Sequence, residues 1–237
     1  MAEDRSDWFV GALLVVALLV VLSATPLPWF VISPGSPVDL TRAVQVGAAR
    51  ASTDRFLLTD VNVTRASPLR LLTLLTPGVV LQRDARVAPG GASGGIASGV
   101  MRDAMAQSQA AAALVAERAA GYPVPMPQYG KPLLAVPVRY ALGDIEGGSG
   151  GLMMALRIYD ALHGIGGPPN RTIAGTGTLD YDGRVGRIEG TPQKLLAAKR
   201  AGASVFFVPR ANYADVAGER DVRIIPVDTF ADALRAL

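Results

Sequence analysis

The hydrophobic pattern of the chain begins with a long apolar stretch. Residues 8–32 carry no charge, and Trp8 and Trp29 lie near the two ends of the stretch. About 20 consecutive apolar residues span the hydrocarbon core of a bilayer, so the stretch predicts a transmembrane helix. A cleaved signal peptide is the alternative, but residues 1–7 contain three acids and one arginine instead of a basic segment. We therefore expect an uncleaved anchor over 8–32.

The region from 33 to 121 shows a mixture of short patterns. They predict, in order, a strand, a short helix, a glycine-rich loop and a long alanine-rich helix, over 55–63, 67–75, 87–99 and 100–121. The following segment, YPVPMPQYGKP over 122–132, is rich in proline and predicts a domain boundary.

Residues 133–237 alternate between strand-like and helix-like segments, which predicts an α/β (α+β) domain. A strand is expected over 133–142 and a helix over 150–163. An Asp182-Gly183 turn should join two strands within 171–190. The next helix should have Thr191 as its N-cap and end before Gly202. A strand, a short helix, a strand and a final helix complete the pattern over 204–210, 212–218, 222–227 and 229–237.

Composition excludes several kinds of site. The net charge is +3 without a basic block, so nucleic-acid binding is not expected. Cysteine is absent and His163 is the only histidine, which excludes disulfides, thiolate metal sites and multi-histidine metal sites. No cofactor is expected. Only three of the 23 basic residues are lysines, Lys131, Lys194 and Lys199, so each lysine is a candidate for a special role.

Ser149 lies among four glycines directly before the helix predicted over 150–163. The segment formally matches the G-x-S-x-G elbow of hydrolases. That mechanism requires a histidine base, but His163 should lie at the far end of the same helix, about 20 Å away. At that end of the helix, His163 is expected to interact favourably with the helix dipole. The pattern of a phosphate-binding loop is also missing, so nucleotide binding is not expected.

A lysine is the remaining candidate base for this serine. Lys194 is predicted near the start of its helix, where the dipole disfavours a protonated amine, whereas Lys199 occupies the usual place near the end. Burial would lower the pKa of Lys194 further. The residues alone leave other interpretations open, since Ser149 can be a helix N-cap and Lys194 a solvated surface lysine.

Two segments resemble the proteolytic domain of Lon-type serine proteases: GGSGGL over 147–152 and GRVGRIEGTPQKLLAAKRAGA over 183–203. In that family, a serine in a Gly-Pro-Ser-Ala-Gly segment and a lysine some 45 residues later form a Ser–Lys dyad. Ser149 and Lys194 are 45 residues apart. The resemblance implies that these two are catalytic, that Thr176 contacts the lysine, and that backbone groups of Gly148, Ser149 and Gly150 form the oxyanion hole.

The rest of the chain resembles membrane-anchored PDZ–Lon-like proteins of Gram-positive bacteria, with 122–132 in the place of the PDZ module. The resemblance implies a single-pass protein of the cell membrane, with a bilayer contact over 8–32, a small mixed extracytoplasmic region over 33–121 and a Lon-like domain over 133–237. Its function would be ATP-independent endopeptidase cleavage of protein or peptide substrates. Assembly into a homo-oligomeric ring is expected, without bound nucleotide.

An alternative function follows from three departures from the family pattern. Gly148 replaces the usual proline and Gly150 the usual alanine, and both add backbone freedom beside the nucleophile. Glu189 replaces a glycine, and its carboxylate would raise the pKa of Lys194. The alternative is a catalytically degenerate Lon fold that serves as a membrane-attached binding or assembly module.

Overall fold

The computed structural model describes residues 3–47, 49–50, 52–83, 94–143 and 145–237. They form two compact units. The first comprises the described residues of Met1–Ser33 and Asn62–Ala92, and the second comprises those of Pro34–Val61 and Ser93–Leu237. The second unit therefore includes residues on both sides of the domain boundary expected over 122–132.

The elements are numbered in chain order. The strands are Trp29–Pro34 (β1), Val38–Asp39 (β2), Val44–Val46 (β3), Arg55–Leu58 (β4), Val61–Arg65 (β5), Val80–Arg83 (β6), Val138–Tyr140 (β7), Thr172–Gly175 (β8), Thr178–Leu179 (β9), Val185–Gly186 (β10), Val205–Pro209 (β11) and Arg223–Val227 (β12). The α-helices are Glu3–Ala24 (α1), Leu40–Ala43 (α2), Gly94–Ala119 (α3), Gly151–Leu162 (α4), Thr191–Arg200 (α5) and Phe230–Arg235 (α6). Short 3₁₀ helices cover Arg70–Leu75, Gly148–Gly150 and Arg210–Asp215.

The first unit contains α1 and a three-stranded sheet in the order β5-β1-β6. Strands β1 and β6 are antiparallel, and Trp29 pairs with Arg83. The Arg83 guanidinium lies 5.0 Å from the centroid of the Trp29 ring, a cation–π contact that covers the aromatic face.

The prediction that residues 8–32 form one transmembrane helix is wrong. Helix α1 ends at Ala24, and Trp29–Pro34 is instead the strand β1. Pro26 and Pro28 explain the change, because proline lacks the backbone N–H that would continue a helix. Among the residues that the structure describes, no helix combines the length and the apolar character needed to cross a bilayer.

The second unit is built on a five-stranded sheet in the order β12-β11-β8-β4-β2. Neighbouring strands from β12 to β4 are parallel, and β2 adds an antiparallel edge. Helix α3 packs along α4. Side chains from strands and helices share one buried core, which includes Phe56, Met105, Leu152, Phe207 and Phe230. Because β4 and β8 are parallel neighbours, their carboxyl ends lie side by side, and the candidate site lies at this edge of the sheet.

Several elements have bounds that differ from those predicted from the sequence. The strand expected over 55–63 is split into β4 and β5, and Thr59 between them donates a hydrogen bond from its hydroxyl to the Gly175 carbonyl at 2.9 Å. The helix expected over 67–75 is a 3₁₀ helix, and the strand expected over 133–142 is only β7. Of the glycine-rich loop expected over 87–99, residues 87–93 lie outside the described residues, and the rest belongs to α3.

Candidate active site

Ser149 lies in the 3₁₀ turn Gly148–Gly150, immediately before α4. Its carbonyl oxygen accepts hydrogen bonds from the Gly177 N–H at 2.7 Å and from the Thr176 hydroxyl at 3.2 Å. The Leu152 N–H donates in return to the Gly177 carbonyl at 3.2 Å. The segment after β8 thus holds the start of α4, and with it the Ser149 side chain, in a defined position.

Lys194 lies in the first turn of α5 and is buried, with 3% of its surface exposed. The N-cap of α5 is Gly190, not Thr191 as the sequence predicted. Gly190 has a φ of 72°, in the left-handed region that favours glycine. Its carbonyl accepts the Lys194 N–H at 3.0 Å. The helix therefore begins one residue earlier than the sequence predicts, and the Lys194 side chain lies in the protein interior.

The structure brings Ser149, Lys194 and Thr176 together. The Lys194 Nζ donates to the Ser149 Oγ at 2.8 Å and lies 3.4 Å from the Thr176 Oγ1. Thr176 is fully buried, and its hydroxyl donates to the Ser149 carbonyl. The amine is therefore within hydrogen-bond reach of the serine hydroxyl, the arrangement that a nucleophile and its base require.

The electrostatic environment favours the neutral form of the lysine. Burial lowers the pKa of Lys194 from 10.5 to about 8, because an ammonium loses its hydration in the protein interior. The carboxylates of Asp60 and, to a smaller extent, Glu189 raise this pKa, and their effect is smaller than that of burial. A fraction of the Lys194 amine is thus neutral near pH 8, and only the neutral amine can accept a proton.

With this geometry established, comparison with known proteins identifies the family. The family model of the Lon protease (S16) C-terminal proteolytic domain matches residues 72–236. The chain belongs to this family. Its mixed α/β fold fits a Lon-type proteolytic domain.

Curated Lon proteases are similar to part of this chain. The Lon protease of Brucella suis biovar 1 (strain 1330) is 33% identical over 144 residues, covering 58% of this chain and 18% of the relative. The Lon protease of Rhizobium meliloti (strain 1021) is 34% identical over 143 residues, with the same coverage. Lon protease 2 of Bacillus subtilis (strain 168) is 37% identical over 91 residues, covering 38% and 16%. The chain thus matches less than a fifth of the length of these relatives.

Neighbouring residues lie close to both glycines that flank Ser149. A Cβ added to Gly150 would lie 2.4 Å from the Leu58 Cδ1, so the β4 side chain occupies the space that a methyl group would need. A Cβ at Gly148 would lie 3.3 Å from the Ala104 carbonyl oxygen of α3. The packing around the nucleophile is therefore close despite the absence of two side chains.

Glu189 is exposed and acts on Lys194 only through its charge. It does not prevent the lowered pKa of the lysine. His163 is the C-cap of α4, as predicted, and its N–H donates to the carbonyl of Tyr159. The histidine thus lies at the opposite end of α4 from Ser149.

Sequence reasoning missed two residues near Ser149 and Lys194. Asp60, which has the larger Coulombic effect on Lys194, follows the carboxyl end of β4, beside the end of β8 that precedes Thr176. The carboxyl ends of parallel strands commonly carry functional groups, so the position of Asp60 close to the end of a strand could have indicated a place in the site. Ser108 is the other missed residue. It belongs to the alanine-rich α3 and donates to the Gly148 carbonyl at 2.9 Å, a contact between distant segments that no local pattern predicts.

Proposed function

We propose that this chain is a serine endopeptidase that hydrolyses peptide bonds of protein substrates with a Ser149–Lys194 dyad. The contact of 2.8 Å between the Lys194 Nζ and the Ser149 Oγ is the observation that carries this proposal. Both groups are fixed by neighbouring segments, Ser149 by the residues after β8 and Lys194 by the start of α5. Membership in the Lon family supports the same chemistry.

In the first step, the neutral Lys194 amine accepts the proton of the Ser149 hydroxyl while its oxygen attacks the scissile carbonyl carbon. The lysine ammonium then donates that proton to the leaving amine, and an acyl–serine ester remains. A water molecule attacks this ester after giving a proton to the lysine, which returns it to the Ser149 oxygen as the carboxylic product leaves. Thr176 orients the lysine through the contact of 3.4 Å between its Oγ1 and the Nζ.

The developing oxyanion needs hydrogen-bond donors beside Ser149. We assign this role to backbone N–H groups of the segment Gly148, Ser149 and Gly150, which form the turn at the start of α4. N–H groups at the beginning of a helix point away from the helix body and favour negative charge. Fixed donors of this kind stabilise the tetrahedral intermediate without reorganising during the reaction.

Peptide cleavage by this chain should not require a nucleotide. The serine, the lysine and the threonine of the proposed machinery all lie within the matched proteolytic domain. Equal rates of peptide cleavage with and without ATP and Mg²⁺ would support this, and a rate that depends on ATP would refute it. Assembly into a ring and an extracytoplasmic location stay predictions from the sequence, and light scattering of the purified chain would measure the former.

Casein or peptide cleavage by the wild-type chain and by Ser149→Ala tests the proposed function. We expect cleavage and labelling by a fluorophosphonate probe in the wild type, and loss of both in the variant. Ser204→Ala is a matched control, because Ser204 also donates a hydrogen bond to a backbone carbonyl but is exposed and lies outside the dyad. A folded wild type that neither cleaves nor labels would favour the alternative of a degenerate binding module. Cleavage by Ser149→Ala at the wild-type rate would also contradict the proposal.

A further inference from the structure

Helix α3 makes a polar contact with the nucleophile turn, which is the 3₁₀ turn Gly148–Gly150 that contains Ser149. The Ser108 hydroxyl donates to the Gly148 carbonyl at 2.9 Å. The side chain is buried, with 4% of the residue exposed, in a helix whose neighbouring positions are mostly alanine. A carbonyl oxygen can only accept, so the direction of this hydrogen bond is fixed by chemistry.

The Gly148 carbonyl belongs to the same peptide unit as the Ser149 N–H. A planar trans peptide directs its C=O and its N–H to opposite sides, so fixing one group fixes the other. The same carbonyl also accepts the Gly151 N–H, and the two donors together hold the orientation of this peptide plane. Rotation of the plane would break both hydrogen bonds.

The Ser149 N–H is available for a substrate. Among the hydrogen bonds of the described residues, none has this N–H as its donor, while the Gly151 N–H donates to the Gly148 carbonyl within the 3₁₀ turn. Ser149 itself is only half-buried. An N–H that is free, oriented and beside the nucleophile is suited to bind the oxyanion of a tetrahedral intermediate.

Gly148 has no side chain that restrains its backbone. Proline, the usual residue at this position in the family pattern, restricts the backbone, whereas glycine leaves the peptide free to rotate. Helix α3 supplies the restraint from outside the turn, since Met101 of the same helix also accepts the Gly147 N–H at 3.0 Å. We infer that Ser108 is a positioning residue, which orients the Ser149 N–H toward the substrate oxyanion through the Gly148 carbonyl.

This inference rests on the proposed function, and Ser108→Ala tests it in the full chain. The variant should lower kcat at least about tenfold and leave KM unchanged, because the donor acts in the transition state and not in substrate binding. Affinity for a peptide aldehyde, whose hemiacetal oxygen occupies the oxyanion position, should fall by a similar factor. The midpoint of the pH–rate profile should not move, since the lysine is untouched. Ser108→Thr keeps the hydroxyl and should restore most of the aldehyde affinity.

Ser204→Ala is again the matched control, and it should change neither kcat nor aldehyde affinity. Thermal unfolding of each variant separates a loss of folded protein from a loss of orientation. Wild-type kcat and aldehyde affinity in folded Ser108→Ala would overturn the inference, and so would an increase in KM alone. If the wild type neither cleaves peptides nor binds the aldehyde, the proposed function fails first and the inference fails with it.

Discussion

The two ends of α5 carry two lysines with opposite properties. Lys194 in the first turn is buried, and burial lowers its pKa to about 8. Lys199 in the last turn donates to Asp221 and Glu219, both at 2.8 Å, and these hydrogen bonds raise its pKa. The prospective base and the permanent cation are only five positions apart in the chain.

The difference shows that position and surroundings, not residue type, set the chemistry of an amine. The start of a helix disfavours a positive charge and its end favours one. Burial adds to the first effect at Lys194, and acidic partners add to the second at Lys199. Each of the following predictions changes one side of this comparison.

The largest expected effect is on catalysis. Lys194→Ala removes the proposed general base and should lower kcat for peptide cleavage by about 10²- to 10⁴-fold. Lys199→Ala removes an amine on the same helix and should leave kcat within about twofold, since its partners are outside the site. Steady-state kinetics on a fluorogenic peptide measures both. Equal losses in the two variants would show that the helix, and not the Lys194 amine, is what matters.

The next largest effect is on stability. Replacing Lys194 should lower kcat but raise the free energy of unfolding. The unfolded chain binds more protons than the folded chain between the two Lys194 pKa values of about 8 and 10.5, so stability rises with pH in that window. The cost of burying the ammonium is therefore fully present below pH 8. Lys194→Met should raise the free energy of unfolding at pH 7 by up to about 3 kcal/mol, and by less at pH 10.

Urea unfolding at the two pH values measures this difference. Lys199→Met is the control, and it should lower stability slightly at neutral pH, because a raised pKa stabilises the fold until the amine deprotonates. Destabilisation at pH 7 by Lys194→Met would contradict the account of a strained, buried amine.

Thr176→Val tests the orientation of the lysine. Valine keeps the volume but removes the hydroxyl that lies 3.4 Å from the Lys194 Nζ and that donates to the Ser149 carbonyl. We expect kcat to fall about tenfold. Thr176→Ser, which keeps the hydroxyl, should retain most activity. Wild-type kcat in the valine variant would remove Thr176 from the proposed machinery.

The smallest effect concerns Asp60, whose carboxylate raises the pKa of Lys194. Asp60→Asn removes this charge and should shift the midpoint of the pH–rate profile to lower pH. Glu189→Gln should shift it in the same direction but less, since its effect on the lysine is smaller. A shift to higher pH in either variant would contradict the assigned electrostatics.

The contact between Ser149 and Lys194 was expected from the resemblance of two short motifs to the Lon family, whereas the residues alone left other interpretations open. The motif around Lys194, with its proline, lies within one continuous stretch. The start of that helix was predicted one residue too late, because a left-handed Gly190 replaced the expected side-chain cap at Thr191. Alternation of strands and helices likewise predicted the mixed α/β fold.

The rest of the site depends on contacts between distant segments. Leu58, Asp60 and Ser108 come from elements that the sequence assigned to a separate region, yet they border the nucleophile turn and the lysine. Strand β4 enters the sheet by pairing with β8, 117 residues later in the chain at the register of Arg55 with Thr172. Local periodicity contains no information about such pairing, so these neighbours could not be found from the pattern.

The central claim, that neutral Lys194 activates Ser149, is tested most directly by the pH dependence of Ser149 acylation. The rate of labelling by a fluorophosphonate probe, measured from pH 6 to 10, isolates this step from the later hydrolysis of the ester. The account predicts a rate that rises with a midpoint near pH 8, the pKa of Lys194, and that falls at every pH in Lys194→Ala. A rate independent of pH, or one that Lys194→Ala leaves unchanged, would contradict it.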